Sequence, residues 1–386
     1  MPLEPDTKDW TWVLERRCDE CGYDSEAVPG KALARALATT TPAFEAAIRT
    51  ADAAVRPAAL VWSPLEYACH VRDVHRIFGE RLARMLAEDD PEFANWDQDA
   101  TAVAQRYGEQ SPARVSAELV AAADAVAAEY DAVPSHAWAR PGRRGNGSRF
   151  TVLSLGRYHL HDAVHHVHDL HRDPGMSTIA AYDAFAADYR DGLQAPPAGV
   201  TAALDRFAAA LPAHARVLEV GSGPGRDARE LELRGLDVRR TDVAAGFVRL
   251  LREAGYAADL LDPLTDDLAD PLRPGRPYDG VWASASLLHV ARADLPTVLQ
   301  RLAAHTVTGG VLLASMKEGD GESWMMHGRV AAPRHFTLWR EPALRAALEG
   351  AGWDVESVGR SVGLRDQAWL EVQARRRPGP ATGAGR

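Results

Sequence analysis

Six of the fourteen histidines in this chain fall between residues 159 and 171. The run is Tyr158-His159-Leu160-His161-Asp162-Ala163-Val164-His165-His166-Val167-His168-Asp169-Leu170-His171. On a helix, His161 and His165 are four residues apart and share a face, so both imidazoles can reach one divalent ion. His168 continues that face. His159, His166 and His171 point elsewhere and read as solvated. His70, in Ala68-Cys69-His70-Val71, is the candidate third ligand from another helix, and His75 faces a different side. Asp162 and Asp169 stand as orienting partners of a ligand or as plain surface charges.

A second concentration of chemistry is Val217-Leu218-Glu219-Val220-Gly221-Ser222-Gly223-Pro224-Gly225. It reads as a buried strand, a glycine-rich turn and a helix start. Glycine lets the backbone take positive φ and approach a ligand closely, and free N–H groups of the helix start face that ligand. The spacing is G-x-G-x-G, not the G-x-G-x-x-G of dinucleotide turns. Glu219 beside the first glycine repels a pyrophosphate but suits a cationic amino-acid ligand. S-adenosylmethionine carries an ammonium and a sulfonium and no phosphate. Asp242 ends the next strand, where a carboxylate can accept both ribose hydroxyls. Asp259 is placed at the end of the third strand, near an adenine amino group.

The amino-terminal Cys18-Asp19-Glu20-Cys21-Gly22 is a C-x-x-C-G knuckle, half of a zinc-ribbon site. Its alternatives are two reduced thiols or a redox-labile pair, since the sequence offers no second pair of cysteines. His289, after the fourth strand in SASLLHV, reads either as a general base or as a structural histidine. Lys317 and Glu318 lie at the carboxyl end of a strand, where ligands bind in such sheets. Arg334, His335 and Phe336 fall in an insertion, Glu322–Trp339, which reads as an acceptor cover or an exposed loop.

Two kinds of element must position these groups. From about Lys31 to Arg172 the pattern is helical, with starts at Ser63-Pro64 and Ser111-Pro112 and a last helix from Thr151 to about Arg172. Four helices of this kind make a four-helix bundle. After Asp173-Pro174-Gly175, strands and helices alternate, the signature of a doubly wound α/β sheet. The chain is thus expected to be an α plus α/β two-domain protein: a bundle over residues 1–174, a Rossmann-like domain over 175–375 and a disordered tail over 376–386. At 386 residues, two cores are expected. The net charge of -10 argues against nucleic acid as the main partner. The first residues lack an apolar signal core, and no run of about 18 apolar residues occurs. Three cysteines form no disulfide framework, so a cytoplasmic protein without a membrane partner is expected.

The segments VLEVGSGPGRDA, GLDVRRTDV, YAADLLD, YDGVWASASLLHV and TGGVLLASMKEG, in this order, resemble class I S-adenosylmethionine-dependent methyltransferases. The resemblance covers about Ala180–Ala374. It implies that Glu219, Gly221, Gly223 and Gly225 shape the methionine side of the pocket, Asp242 the ribose side and Asp259 the adenine edge. Tyr182 and Tyr189, in AAYDAFAADYRDG, resemble the family's lid helix. The Ala244-Ala245-Gly246 start after Asp242 departs from the Ser-led start common in the family. A histidine on the second helix and His-x-x-x-His on the fourth resemble the DinB-like bundles, which include metal-dependent thiol S-transferases. That resemblance implies His70, His161 and His165 as ligands of Zn, Ni, Fe or Mn. The expected activity is methyl transfer to a small molecule, with a thiol or thiol conjugate as a candidate acceptor. The alternatives are a thiol S-transferase with an accessory cofactor domain and a non-catalytic protein that responds to S-adenosylmethionine or metal.

Overall fold

The structure is a computed structural model. It describes residues 10–58, 61–170, 174–193, 195–363 and 366–378. His171 and most of the carboxyl-terminal tail lie outside these. The chain divides into two compact units, Met1–Ala184 with Trp324–Arg334, and Phe185–Ser323 with His335–Arg386. The sequence pattern puts the division after residue 174. Compactness moves it to the middle of a helix that kinks at Phe185 (φ -111°, ψ 17°).

The first unit contains α1 (Leu33–Ala38), α2 (Thr41–Ile48), α3 (Pro64–Ala87), β1 (Glu92–Phe93), α4 (Gln98–Ala104), α5 (Pro112–Asp131), β2 (Pro141–Arg144), β3 (Arg149–Thr151), α6 (Val152–Asp169) and the first half of α7 (Pro174–Gly192). The helical pattern that begins near Lys31 is broken into α1 and α2. Pro42 follows the break, and Thr39 and Thr40 cap α1 by donating their hydroxyls to Ala36 O and Leu37 O. α3 starts with a capping box: Ser63 Oγ accepts from the Glu66 N–H and the Glu66 carboxylate from the Ser63 N–H. α6 starts with a second box, formed by Thr151 and Ser154. α3 packs on α5 and α6, and α1 packs on the same two helices, around Leu37, Val74, Leu82, Leu119 and Leu160. Between α5 and α6 the chain forms a hairpin, β2 to β3, turned by Gly147 at φ +94°.

The second unit follows with α8 (Ala198–Ala209), β4 (Arg216–Val220), α9 (Arg226–Leu233), β5 (Asp237–Asp242), α10 (Ala245–Glu253), β6 (Ala258–Leu260), β7 (Tyr278–Ala283), α11 (Leu295–Ala304), β8 (Thr306–Lys317), β9 (Glu322–His327), β10 (Val330–Thr337), α12 (Glu341–Gly350), β11 (Trp353–Val362) and β12 (Ala368–Arg376). β9 and β10 pair with each other, and the far part of this hairpin, Trp324–Arg334, belongs to the first unit. Seven strands form one sheet in the order β11-β12-β8-β7-β4-β5-β6. β6, β5, β4, β7 and β8 run parallel, while β12 is antiparallel to both of its neighbours. The order reverses between β4 and β7, so the turn after β4 opens at the switch point where such sheets bind ligands. Phe207, Val217, Leu231, Val238 and Trp282 form the core under α8 and α9. Arg376, expected to open the tail, closes β12 in register with Trp353. Among the described residues, no helix is long and apolar enough to cross a membrane.

Candidate functional site

The turn after β4 depends on its glycines. Gly221, Gly223 and Gly225 have φ of +76°, +52° and +79°, a region that strains an L side chain. A Cβ on Gly221 would lie 2.4 Å from Ser286 Cβ, and one on Gly225 would lie 2.6 Å from Leu251 Cδ2. A Cβ on Gly223 would meet nothing within 4 Å, so this glycine borders open space. Its N–H donates to Asp242 Oδ2 at 2.8 Å, and the Ala244 N–H donates to Asp242 Oδ1 at 2.8 Å.

Glu219 is buried, with Ser222 Oγ donating to its Oε2. Burial pushes its carboxyl up to about 8, above the ordinary 4.5. Burial therefore holds it neutral at pH 7, and a cation placed beside it would draw the proton off. Ser286 Oγ, next to Gly221, is buried without a hydrogen-bond partner. Ala285 before it sits at φ +53°, its N–H held by Ser315 Oγ at 2.7 Å. Strained backbone of this kind gathers at ligand sites. Open space at Gly223, an unpartnered Ser286 hydroxyl and two carboxylates fit a cationic ligand that carries hydroxyls.

Asp259 lies within β6, and its Oδ2 accepts from Arg239 Nε at 2.7 Å. Two residues beyond the end of that strand at Leu260, Asp262 Oδ1 accepts the Leu264 N–H at 2.8 Å. The sequence pattern places Asp259 at the strand end, and so passes over Asp262 in the turn beyond it. Tyr189 packs edge-on against Phe247 of α10, with ring centroids 5.5 Å apart, beside the helix that follows Asp242. Tyr182 lies in the first unit, where Arg334 Nη1 donates to its hydroxyl at 3.1 Å.

His289 follows β7 in a single helical turn, Leu287–His289. Its Nδ1 lies 2.6 Å from His335 O. A carbonyl only accepts, so Nδ1 carries the hydrogen and Nε2 is the basic nitrogen. Phe336 lies 4.6 Å from the His289 ring, and the buried Lys317 Nζ sits 3.8 Å over Phe336. The structure thus brings His289, Lys317, His335 and Phe336 together, and leaves Glu318 on Arg360.

The histidine helix divides differently from the expected triad. His161 and His165 face Cys18 and Cys21, and the four ligand atoms lie within 4.8 Å of one another. His70 meets Asp162 and His166 within the same limit. Successive helical residues are about 100° apart, so positions 161/165 and 162/166 form two stripes. α3 brings His70 to the second stripe, one residue away from the expected one. His70 Nε2 is 3.3 Å from Asp162 Oδ1, and both His70 nitrogens and that oxygen are buried without hydrogen-bond partners. His166 Nδ1 is 3.0 Å from Asp169 Oδ2, which leaves Nε2 facing Asp162 at 3.7 Å. Burial alone would raise the Asp162 carboxyl, but His70 and His166 hold it well below the usual range. Burial lowers His70, which keeps the ring neutral and able to donate a lone pair. Trp96 stacks on His70 with 5.2 Å between centroids. His159, expected in solvent, is fully buried, with Nε2 2.8 Å from His75 Nδ1.

A parallel sheet with a glycine turn at its switch point and an acidic residue ending the next strand defines a nucleotide-type cofactor domain. Residues 193–358 match the methyltransferase domain family, and residues 32–170 match the DinB superfamily. The chain joins a DinB-superfamily domain to a methyltransferase domain. No curated protein matches it. Among solved structures, it is similar to the 1,6-didemethyltoxoflavin-N1-methyltransferase of Burkholderia thailandensis, solved with 1,6-didemethyltoxoflavin and S-adenosylhomocysteine (22% identity, 52% of this chain and 88% of that chain, TM-score 0.42). It is also similar to the CcbJ methyltransferase of Streptomyces caelestis (19% identity, 51% and 98%, TM-score 0.40). A third similar structure is a SAM-dependent methyltransferase of Methanosarcina mazei (12% identity, 46% and 98%, TM-score 0.40).

Proposed function

We propose that this protein transfers the methyl group of S-adenosylmethionine to a small molecule. The observation that carries this is the buried Glu219 beside a glycine turn that opens toward Asp242, within a methyltransferase domain. S-adenosylmethionine supplies a methyl group already activated on a sulfonium. The protein's task is to place the acceptor in line with it. Glu219, ionised on binding, holds the ammonium. Gly221, Gly223 and Gly225 let the backbone come close, Asp242 accepts the ribose hydroxyls, and Tyr189 covers the pocket. Asp262 takes the adenine edge, because Arg239 engages Asp259. His289 Nε2 accepts the proton that the acceptor loses.

In the bundle, His70, Asp162 and His166 fit a divalent Zn, Ni, Fe or Mn ion, because their ligand atoms converge and the buried His70 nitrogens and Asp162 Oδ1 have no hydrogen-bond partner. Such an ion lowers the pKa of a coordinated thiol. Thiols and thiol conjugates are therefore the first acceptors to test. The three free cysteines fit a reducing cytoplasm.

The test incubates the protein with S-adenosylmethionine and a panel of thiols, imidazoles and phenols, and follows S-adenosylhomocysteine by mass spectrometry. Product must appear with at least one acceptor and vanish in Asp242→Ala. Thiol transfer that persists in Asp242→Ala and stops in His70→Ala would favour the S-transferase reading instead. Binding without turnover on any acceptor would favour a responsive binding protein.

A further inference from the structure

The Cys18–Cys21 knuckle is closed by its own backbone. The Gly22 N–H donates to Cys18 O at 3.0 Å, and the Cys18 N–H donates to Tyr23 O at 2.8 Å. Gly22 has φ +71°, and a Cβ there would lie 2.0 Å from Trp324 O, so a side chain has no room. The turn aims both thiols at one stripe of α6. Cys18 Sγ is 3.8 Å from His165 Nδ1. His165 Nε2 faces Glu20 Oε2 at 3.4 Å, an arrangement that puts the ring hydrogen on Nε2 and leaves the Nδ1 lone pair toward the thiol. His161 is 3% exposed, and its Nε2 is buried without a hydrogen-bond partner.

We propose that Cys18, Cys21, His161 and His165 form a closed Cys2His2 zinc site, separate from the His70 cluster, that fastens the amino-terminal segment to the histidine helix. Two thiolates and two imidazoles are the donor set that tetrahedral zinc prefers. With Zn–S near 2.3 Å and Zn–N near 2.0 Å, a tetrahedron has edges of roughly 3.3 to 3.8 Å. The four ligand atoms here lie within 4.8 Å of one another, so small side-chain rotations suffice to close the tetrahedron. A redox role suits the pair less well. Cys18 and Cys21 are 0% and 1% exposed, out of reach of a partner thiol, and a disulfide would leave the two converging histidines without purpose. Four protein ligands with no open position make the site structural. Trp10, its ring tilted against His165 at 4.8 Å between centroids, and Tyr23, 5.5 Å from His161, keep water away.

The test uses the untagged full-length chain with His70→Ala, Asp162→Ala and His166→Ala combined, which disables the other cluster. It should retain about one equivalent of zinc by elemental analysis, as one tetrahedral site requires. Its cobalt derivative should show a thiolate-to-metal charge-transfer band with intense tetrahedral d–d absorption. Adding Cys21→Ser should weaken that band, and adding Cys18→Ser as well should abolish it. Titrating the cysteines of the chain without substitutions with an organomercurial should release zinc in step with thiol loss, which guards against variants that misfold. A cobalt spectrum without the thiolate band, zinc whose X-ray absorption shows only nitrogen and oxygen neighbours, or a Cys18–Cys21 disulfide in freshly purified protein would each overturn the proposal.

Discussion

Glu219 makes the most direct prediction at the level of single residues. Its carboxyl is raised to about 8 by burial, against an ordinary 4.5. Between these values the unfolded chain ionises and the folded domain does not, so the cofactor-free domain loses stability as pH rises from about 4.5 to about 8. An ammonium bound beside Glu219 reverses the preference and expels its proton. Calorimetry of S-adenosylmethionine binding at pH 7, in buffers of different ionisation enthalpy, should report net proton release. Glu219→Gln should bind more weakly and release none. His289 makes the second prediction. Its Nδ1 hydrogen is committed to His335 O, so only Nε2 can accept a proton. His289→Gln should lower kcat by roughly 10²–10⁴-fold, the usual contribution of a general base. It should also remove the acidic limb of the pH–rate profile while leaving S-adenosylmethionine binding intact. A purely structural histidine would leave the shape of that profile unchanged.

The turn and the helix starts are the elements on which these residues depend. Gly225→Ala and Gly223→Ala meet similar backbone strain, at φ +79° and +52°, but only the first places a methyl 2.6 Å from Leu251. Gly225→Ala should therefore cost more stability, about 1–3 kcal/mol in denaturant unfolding, as strained or overpacked sites do. Gly223→Ala should instead hurt cofactor affinity more, because its methyl enters the space open to a ligand. If the two variants ranked alike in both assays, the pocket would not lie at Gly223. On α3, Ser63→Ala removes one arm of the capping box and should cost about 1 kcal/mol. His70 sits in the second turn of this helix, so loosening the cap should weaken metal retention at His70, Asp162 and His166 as well.

For the whole molecule, the family matches put a DinB-superfamily domain and a methyltransferase domain on one chain, and the proposed sites in them can be disabled one at a time. Asp242→Ala should abolish methyl transfer with metal content unchanged. Substituting His70 and Asp162 should lower metal content with S-adenosylmethionine affinity unchanged. Elemental analysis and calorimetry on the same preparations check both. A mutual loss would show that the units fold or act as one.

The amino-acid sequence alone determined the parts whose physics is local. Glycines at 221, 223 and 225 declare a left-handed turn because no other residue takes such φ values cheaply. Ser63-Pro64 and Glu66 declare a helix start through their own hydrogen bonds. The four-residue spacing of His161 and His165 declares a helix with a donor face, and the second stripe at Asp162 and His166 emerged only with the tertiary structure. Which stripe meets which partner was left to the tertiary structure. Cys18 and His165 are 147 positions apart, and no local spacing links them. His70 reached Asp162 and His166 instead of His161 and His165 because α3 packs against one side of α6 and the knuckle covers another. A shift of one helical position moves a ligand by about 100°, and long-range packing alone sets that angle.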